Sequence, residues 1–404
     1  MTLPVITLMS GIQTEIDPDI CFTLDSTNLG VLNTDILAGT EDTQFVAPIQ
    51  SLTINRGRSR QLDRFTAGTA SILFDNRDRK LDPLNTASDY YGYIVPRLRM
   101  KVLADNIPIY SGYATDWEVE YDKTGSDTAS VACVDAFTIF ANFVTANDET
   151  PAAQTPGPRL QWIVDIFAYK GSVNFGAGNA NLGGYTVPEG TQMLEYMTNV
   201  AASDRGALYV DGDGVLQYVG RFDREAVSEV TFADDGSGVP YMSLVTSYND
   251  ELLYNEIIAV SPAGSVTARN EDSIASYELS SLNLSYLLNN STFELQEIAD
   301  FYLEKLALPQ VRFTGLTVEL AGLSAAQIED LLNVEIADQI SVKKSFSAGL
   351  PAVVTQDLMV SGIQHRIQPG SHMITFTFEP TPYKDGLKLD DATRGTIDST
   401  NYLG

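Results

Sequence analysis

The chain has 404 residues, 53 of them acidic and 25 basic, which gives a formal net charge of −28. That balance argues against a general nucleic-acid or anionic-membrane binder, because phosphate contacts need Lys and Arg. At 44% hydrophobic and 19% charged the composition is that of an ordinary folded protein, neither disordered nor fibrous.

The length suits roughly two to four compact units. No apolar stretch reaches the ~18 residues of a membrane span, and no basic residues precede the apolar start, so neither a span nor a secretory leader is expected. Two cysteines, Cys21 and Cys133, cannot build a disulfide framework, which fits assembly in a reducing cytoplasm. Two histidines, His365 and His372, exclude a His-rich zinc site and the HExxH pattern.

In chain order, residues 1–149 read as a β-rich domain with an extended N-terminal segment. Thr69–Asp75 is strand-like and Asn76-Arg-Asp78 stops it. Trp117–Asp122 alternates apolar and polar residues, Lys123–Asp127 is a run of turn formers, and Ser130–Asp135 is a more apolar strand, so the three predict a hairpin. Thr150–Pro158 is a linker by composition and opens a small α+β domain over 150–238. A helix follows with Pro158 in its first turn and Gly171 as its stop. A second runs near Thr191–Ser203, with Met193, Leu194, Met197, Val200 and Ala201 on one side. Leu208–Val219 predicts a hairpin closed by Asp211-Gly-Asp-Gly214.

Asp234–Pro240 is a second linker signal, and 239–383 reads as another β-rich domain. Within it, Ser291 and Glu294 predict a capping box before the stripe Leu295, Ile298, Ala299, Tyr302 and Leu306. Ser324–Gln327 opens a short helix ending near Leu332. Residues 384–404 read as a C-terminal arm or tail. A weak repeat links the two β-rich units. Ser111-Gly112 and Ser361-Gly362 each precede a strand, a turn and a further strand.

No constellation suggests catalysis, a cofactor or a metal site. Asp75, Asp78 and Asp82 could serve calcium, but Arg77, Arg79 and Lys80 oppose a cation and the turn reading is preferred. Asp211 and Asp213 lack an EF-hand continuation. No GxSxG occurs to serve either histidine, and neither cysteine has the basic neighbours a reactive thiol wants. Residues 56–101 hold ten of the 25 basic residues against five acids, a local balance of +5 that leaves −33 for the rest. This asymmetry predicts a contact surface for acidic neighbours, with Arg56, Arg58, Arg60 and Arg64 as candidate interface residues reaching carboxylates of a neighbour.

The order Ile54-Asn-Arg-Gly-Arg-Ser-Arg-Gln-Leu-Asp63, Phe65–Asn76 with its Ala-Gly-Thr-Ala, Leu81-Asp-Pro83, Tyr110–Trp117 and Val134–Phe137 resembles minor tail proteins of long-tailed phages. Ala207–Leu216 resembles that family's central hairpin. Leu332–Val342 resembles its later strand pair, with Ala337 where the family usually has Gly. The family is similar to the baseplate hub of contractile-tailed phages. The resemblance implies a mainly β fold, with two related β-barrel-like hub domains flanking a small mixed domain. It also implies a homotrimer whose six barrels form a pseudo-sixfold ring joining a sixfold tail tube to a threefold tip. The implied partners are a distal tail or tail tube protein, a tail tip or spike protein and a tape measure protein. The implied location is the virion tail. The alternatives are a receptor- or carbohydrate-binding tail module, for which Tyr90, Tyr91 and Tyr93 could stack on sugars, and a wall hydrolase.

Overall fold

A computed structural model describes residues 3–11, 43–223 and 230–380. Alternating side chains build the first half. Its strands are β1 (Ile6–Ser10), β2 (Thr43–Gln44), β3 (Ile49–Gly57), β4 (Thr66–Asp75), β5 (Arg99–Ala104), β6 (Ile107–Glu120) and β7 (Thr128–Val134), all antiparallel neighbours. In β4 every second side chain, Ala70, Ile72 and Phe74, enters the core. The predicted hairpin is β6–β7, and α1 (Phe137–Ala141) follows it.

The mixed part comprises α2 (Pro156–Ile166), β8 (Val173–Phe175), α3 (Met193–Ser203), β9 (Ala207–Val210) and β10 (Leu216–Val219). Pro158 lies in the first turn of α2, but the helix stops before Gly171, because Phe167 caps it and Ala168 turns to φ +47°. Arg159, fully buried in α2, donates to the Tyr196 hydroxyl of α3 (2.7 Å) and to the carbonyls of Ala152 (2.8 Å) and Gly183 (2.9 Å). Its charge is thereby matched to acceptors, as a buried cation requires.

The second half begins with β11 (Val230–Ala233) and β12 (Ser243–Ser247). Next comes a small unit of β13 (Glu256–Ser261), β14 (Gly264–Arg269), α4 (Glu271–Tyr277), β15 (Ser281–Leu284) and α5 (Thr292–Leu306), with its own core around Ile257, Ala259, Leu295 and Ile298. Then follow β16 (Arg312–Glu319), α6 (Ala325–Asn333), β17 (Gln339–Ser345), β18 (Val353–Gln368) and β19 (Ser371–Pro380). The Asp234–Pro240 segment is a pinned turn, not a free linker. Asp234 and Asp235 ion-pair with Lys344 and Lys343 of β17, and β11 runs parallel to that strand in the large sheet. Ser324 and Gln327 form a full capping box. Ser291 does not form the one predicted for it. Its hydroxyl accepts the Phe293 N–H (3.1 Å), while the Glu294 carboxylate reaches Asn181 and Asn289.

The protein is mainly β, with two related halves in one 13-stranded sheet. The first half runs β3-β4-β7-β6-β5 and the second β12-β16-β19-β18-β17, the same order strand for strand. They join where β3 pairs with Gly362–Ile367 of β18. Among the described residues the pairings form this continuous sheet without closing either half into a barrel. Glycine is required at the join. A Cβ on Gly57 would lie 2.3 Å from the Ser361 carbonyl oxygen, and one on Gly362 would lie 2.6 Å from that of Arg58. The repeated Ser-Gly thus marks, in its second copy, the place where the two halves meet. No helix among the described residues is long and apolar enough to cross a membrane.

Candidate interaction surface around the arginine turn

The four candidate arginines lie on β3 and on the turn to β4, and they divide by depth. Strand alternation places Arg56 on the same face as Leu52 and Ile54, so its side chain points into the protein. Its Nη1 bonds both carboxylate oxygens of Glu335 (2.7 and 2.8 Å). Glu335 also accepts the N–H of Ile336 (2.8 Å) and of Gly212 (3.2 Å). One carboxylate therefore ties β3, the β9–β10 turn and the segment before β17 together. Gly212 must be glycine there, since a Cβ would lie 2.2 Å from the Pro108 carbonyl oxygen.

Arg58 also turns inward. It ion-pairs with Glu379 of β19, donates to the Asp63 carbonyl (3.0 Å) and stacks on Phe65 (4.6 Å). The expectation that Arg56 and Arg58 reach carboxylates of a neighbour is corrected by this geometry. Both bind acids of their own chain, joining the first half to the second. The sequence did carry the signal that Arg56 points inward, in the alternation Leu52, Ile54, Arg56.

Arg60 and Arg64 are at the surface, with side chains 68% and 40% exposed. Arg60 pairs with the exposed Glu251 (2.6 Å). Arg64 lies 3.8 Å from Glu195, donates to the Thr198 hydroxyl (3.3 Å) and sits over the Tyr286 ring. Between this turn, α3 and the small unit of the second half is a cavity of about 130 Å³. Its walls include Leu208, Tyr286 and Tyr302, and Arg58, Arg64 and Arg205 line it.

The other singled-out residues are structural in their surroundings. Asp75, Asp78 and Asp82 accept the N–H groups of Arg77, Lys80 and Leu84, which is turn chemistry. Asp211 accepts from Val215 across the β9–β10 turn. No group of three His, Cys, Asp or Glu side chains among the described residues is placed to hold a metal. Cys133 is buried, which pushes its thiol up to about 12, and Cys21 lies outside the described residues. His365 Nδ1 and His372 Nε2 are 3.1 Å apart in the core, 2% and 1% exposed. Burial holds both imidazoles neutral, with His372 lowered to about 4. Burial also raises the Asp135 carboxyl to about 7, against the pull of the N–H groups of Gly68 and Phe137. Tyr90 packs on Phe45, and its hydroxyl accepts the Val46 N–H, whereas Tyr91 and Tyr93 are exposed.

No protein-family model and no curated protein matches the sequence. Solved structures match over most of the chain. A tail protein from Neisseria meningitidis aligns with a TM-score of 0.58 at 12% identity, over 85% of this chain and 96% of its own. The 43 kDa tail protein of prophage MuSo2 from Shewanella oneidensis aligns with a TM-score of 0.55 at 13% identity, over 94% and 97%. A prophage tail protein from Listeria monocytogenes aligns with a TM-score of 0.50 at 10% identity, over 84% and 91%. The chain has the fold of these tail and prophage tail proteins.

Proposed function

We propose that the chain is a structural hub of a bacteriophage tail. Three copies form a ring that joins a sixfold tail tube to a threefold tip and encloses the channel for DNA passage. The observation that carries this reading is the repeated strand order of the two halves. Two related frames in one chain turn three subunits into six similar contact surfaces. The end of the sheet supplies a means of association. Among the described residues β12 pairs only with β16, and Met242, Val245 and Tyr248 beside its free edge are exposed and apolar. Such an edge is a template for a strand of another copy. The acid excess suits a channel wall that does not retain DNA.

The role is non-enzymatic in this reading. The groups a hydrolase would draw on, the histidine pair and Cys133, are enclosed in the core. Of the four candidate arginines, Arg60 is the one assigned to an adjoining ring, since both it and the Glu251 carboxylate it pairs with are exposed. The distal tail or tube protein, the tip or spike protein and the tape measure protein are the proposed neighbours, with assembly in the host cytoplasm. Electron cryomicroscopy of virions carrying a labelled copy tests this. Label at the tail end supports the reading, and label confined to side fibres or the capsid overturns it.

A further inference from the structure

Strand pairing aligns the two halves residue by residue. Across the first half Thr53, Ser71, Ala132 and Asp116 lie side by side. Across the second half Val245, Gly315, Thr377 and Gly362 do the same. Each row ends next to a bulge, at Thr115 in β6 and at Ser361 in β18. A left-handed residue faces the strand just before each bulge. Arg97 (φ +68°) donates its N–H to the Ala114 carbonyl, and Ala337 (φ +76°) donates its own to the Val360 carbonyl. β12 is therefore the counterpart of β3, and β6 from Asp116 onward is the counterpart of β18 from Gly362 onward.

Within the chain one such pair of edges is joined, β3 against Gly362–Ile367 of β18. The equivalent pair is bare. Beyond Tyr113, β6 has β7 on one side and no strand on the other among the described residues, and β12 has only β16. Burial marks the difference. Ile363, His365 and Ile367 are buried at the join, whereas their counterparts Trp117 and Val119 are half-buried and Tyr121 is exposed. Bare edges of this kind are completed by a strand from another chain.

We propose that the join inside the chain is repeated between copies, with β12 of one copy antiparallel to residues 117–121 of the next. This pairing rests on the ring reading and names the surface that closes the ring. The occupant is a second copy because each edge is the counterpart of one that already pairs with the other kind. The contact is head-to-tail, so each copy gives one edge and receives one. Register follows from the intrachain join, where Ile54 lies opposite His365 and Asn55 opposite Gln364. By equivalence Thr246 lies opposite Val119 of the next copy, and Ser247 opposite Glu118. On one face Leu244 and Tyr248 then cover Tyr121 and Trp117. On the other the Ser247 hydroxyl can donate to the Glu118 carboxylate, where the intrachain join has the Gln364 amide donating to Asn55. The new ladder stops at Tyr248 and Trp117, because Asn249 and Asp116 stand where the close-packed Gly57 and Gly362 meet.

The test oxidises isolated tails whose full-length chain carries Cys21→Ser and one cysteine pair, read by non-reducing electrophoresis. The opposed pairs are Thr246→Cys with Val119→Cys and Ser247→Cys with Glu118→Cys. Opposed residues of an antiparallel ladder lie about 4.5–5.5 Å apart at Cα, within disulfide reach. The offset pair, Thr246→Cys with Tyr121→Cys, is a diagonal of roughly 7–8 Å and is out of reach. The expected result is covalent multimers ending at three copies from the opposed pairs, with a yield several-fold lower from the offset pair. Ser247 and Glu118 both lie off the core face, so their pair decides the matter if the Val119→Cys chain fails to fold. Tails that hold three copies but give no cross-link at an opposed pair, or cross-link at the offset pair instead, overturn this pairing and leave the ring reading standing. Covalent ladders that run past three copies uphold the pairing and overturn the ring.

Discussion

The two halves differ most at one turn. Between β3 and β4 the first half has only residues 58–65, whereas at the same place in the strand order, between β12 and β16, the second half carries residues 248–311. The longer connection folds around its own core. The frame tolerates both because its stability resides in ladders that neither connection interrupts, and lengthening a surface loop costs little closure entropy. The two turns nevertheless meet, since the short one and the inserted unit wall the same cavity. The difference teaches that the repeated strands set the architecture while the unequal turns supply the contacts between halves.

The strongest way to break the comparison is to cut the tie that holds the halves together. Glu335→Ala leaves Arg56 buried without its carboxylate and frees the Gly212 and Ile336 N–H groups. Removing one partner of a buried pair costs about 3–5 kcal/mol, so denaturant unfolding should show a loss of that order. A loss below ~1 kcal/mol would show that the strand ladder alone holds the seam.

Acid should act on the same seam through the histidine pair, because His365 lies across from Ile54 of β3 in the joining strand. The charged groups facing the pair are Arg56, Glu319 and Asp105. His372 is lowered from 6.5 to about 4, so the unfolded chain binds its proton first as pH falls. This contribution is complete above pH 6.5 and is lost as pH drops toward about 4, on the order of 3 kcal/mol for His372. Melting curves across that window should fall more steeply for the natural chain than for a His365→Leu, His372→Leu variant. Parallel slopes would remove the pair from the account.

Ala337 offers a gain. It sits at φ +76°, a left-handed conformation that costs a non-glycine residue about 1–2 kcal/mol. Ala337→Gly relieves this against the greater freedom glycine has when unfolded, for a net gain of up to about 1 kcal/mol in thermal unfolding. The smallest effect belongs to Arg60. Arg60→Glu should change the free chain's stability by less than ~1 kcal/mol, since exposed ion pairs contribute little. It should impair tail assembly seen by electron microscopy, and normal tails would show Arg60 to be only a solvated side chain.

Much of this was legible in local sequence. The Ser-Gly repeat marked corresponding strands, the Ser324–Gln327 box formed as read, and the unusual Ala337 fell at a position whose backbone favours glycine. What escaped reading was long-range. Glu294 fits a capping box by spacing, yet it is drawn to Asn181, more than a hundred residues away in sequence. The pairing of Arg56 with Glu335 and of β3 with β18 depends on which halves meet, and no local pattern encodes that. The small unit around β13 and α5 was hidden because its strands are short and merge with the β-rich run.

The most direct test of the central claim is the copy number of this chain in an isolated tail-end complex, by native mass measurement with symmetry read from electron cryomicroscopy. The account predicts three copies, with the two halves of each occupying alternating positions around a pseudo-sixfold ring. Six copies, or a single copy, would contradict it.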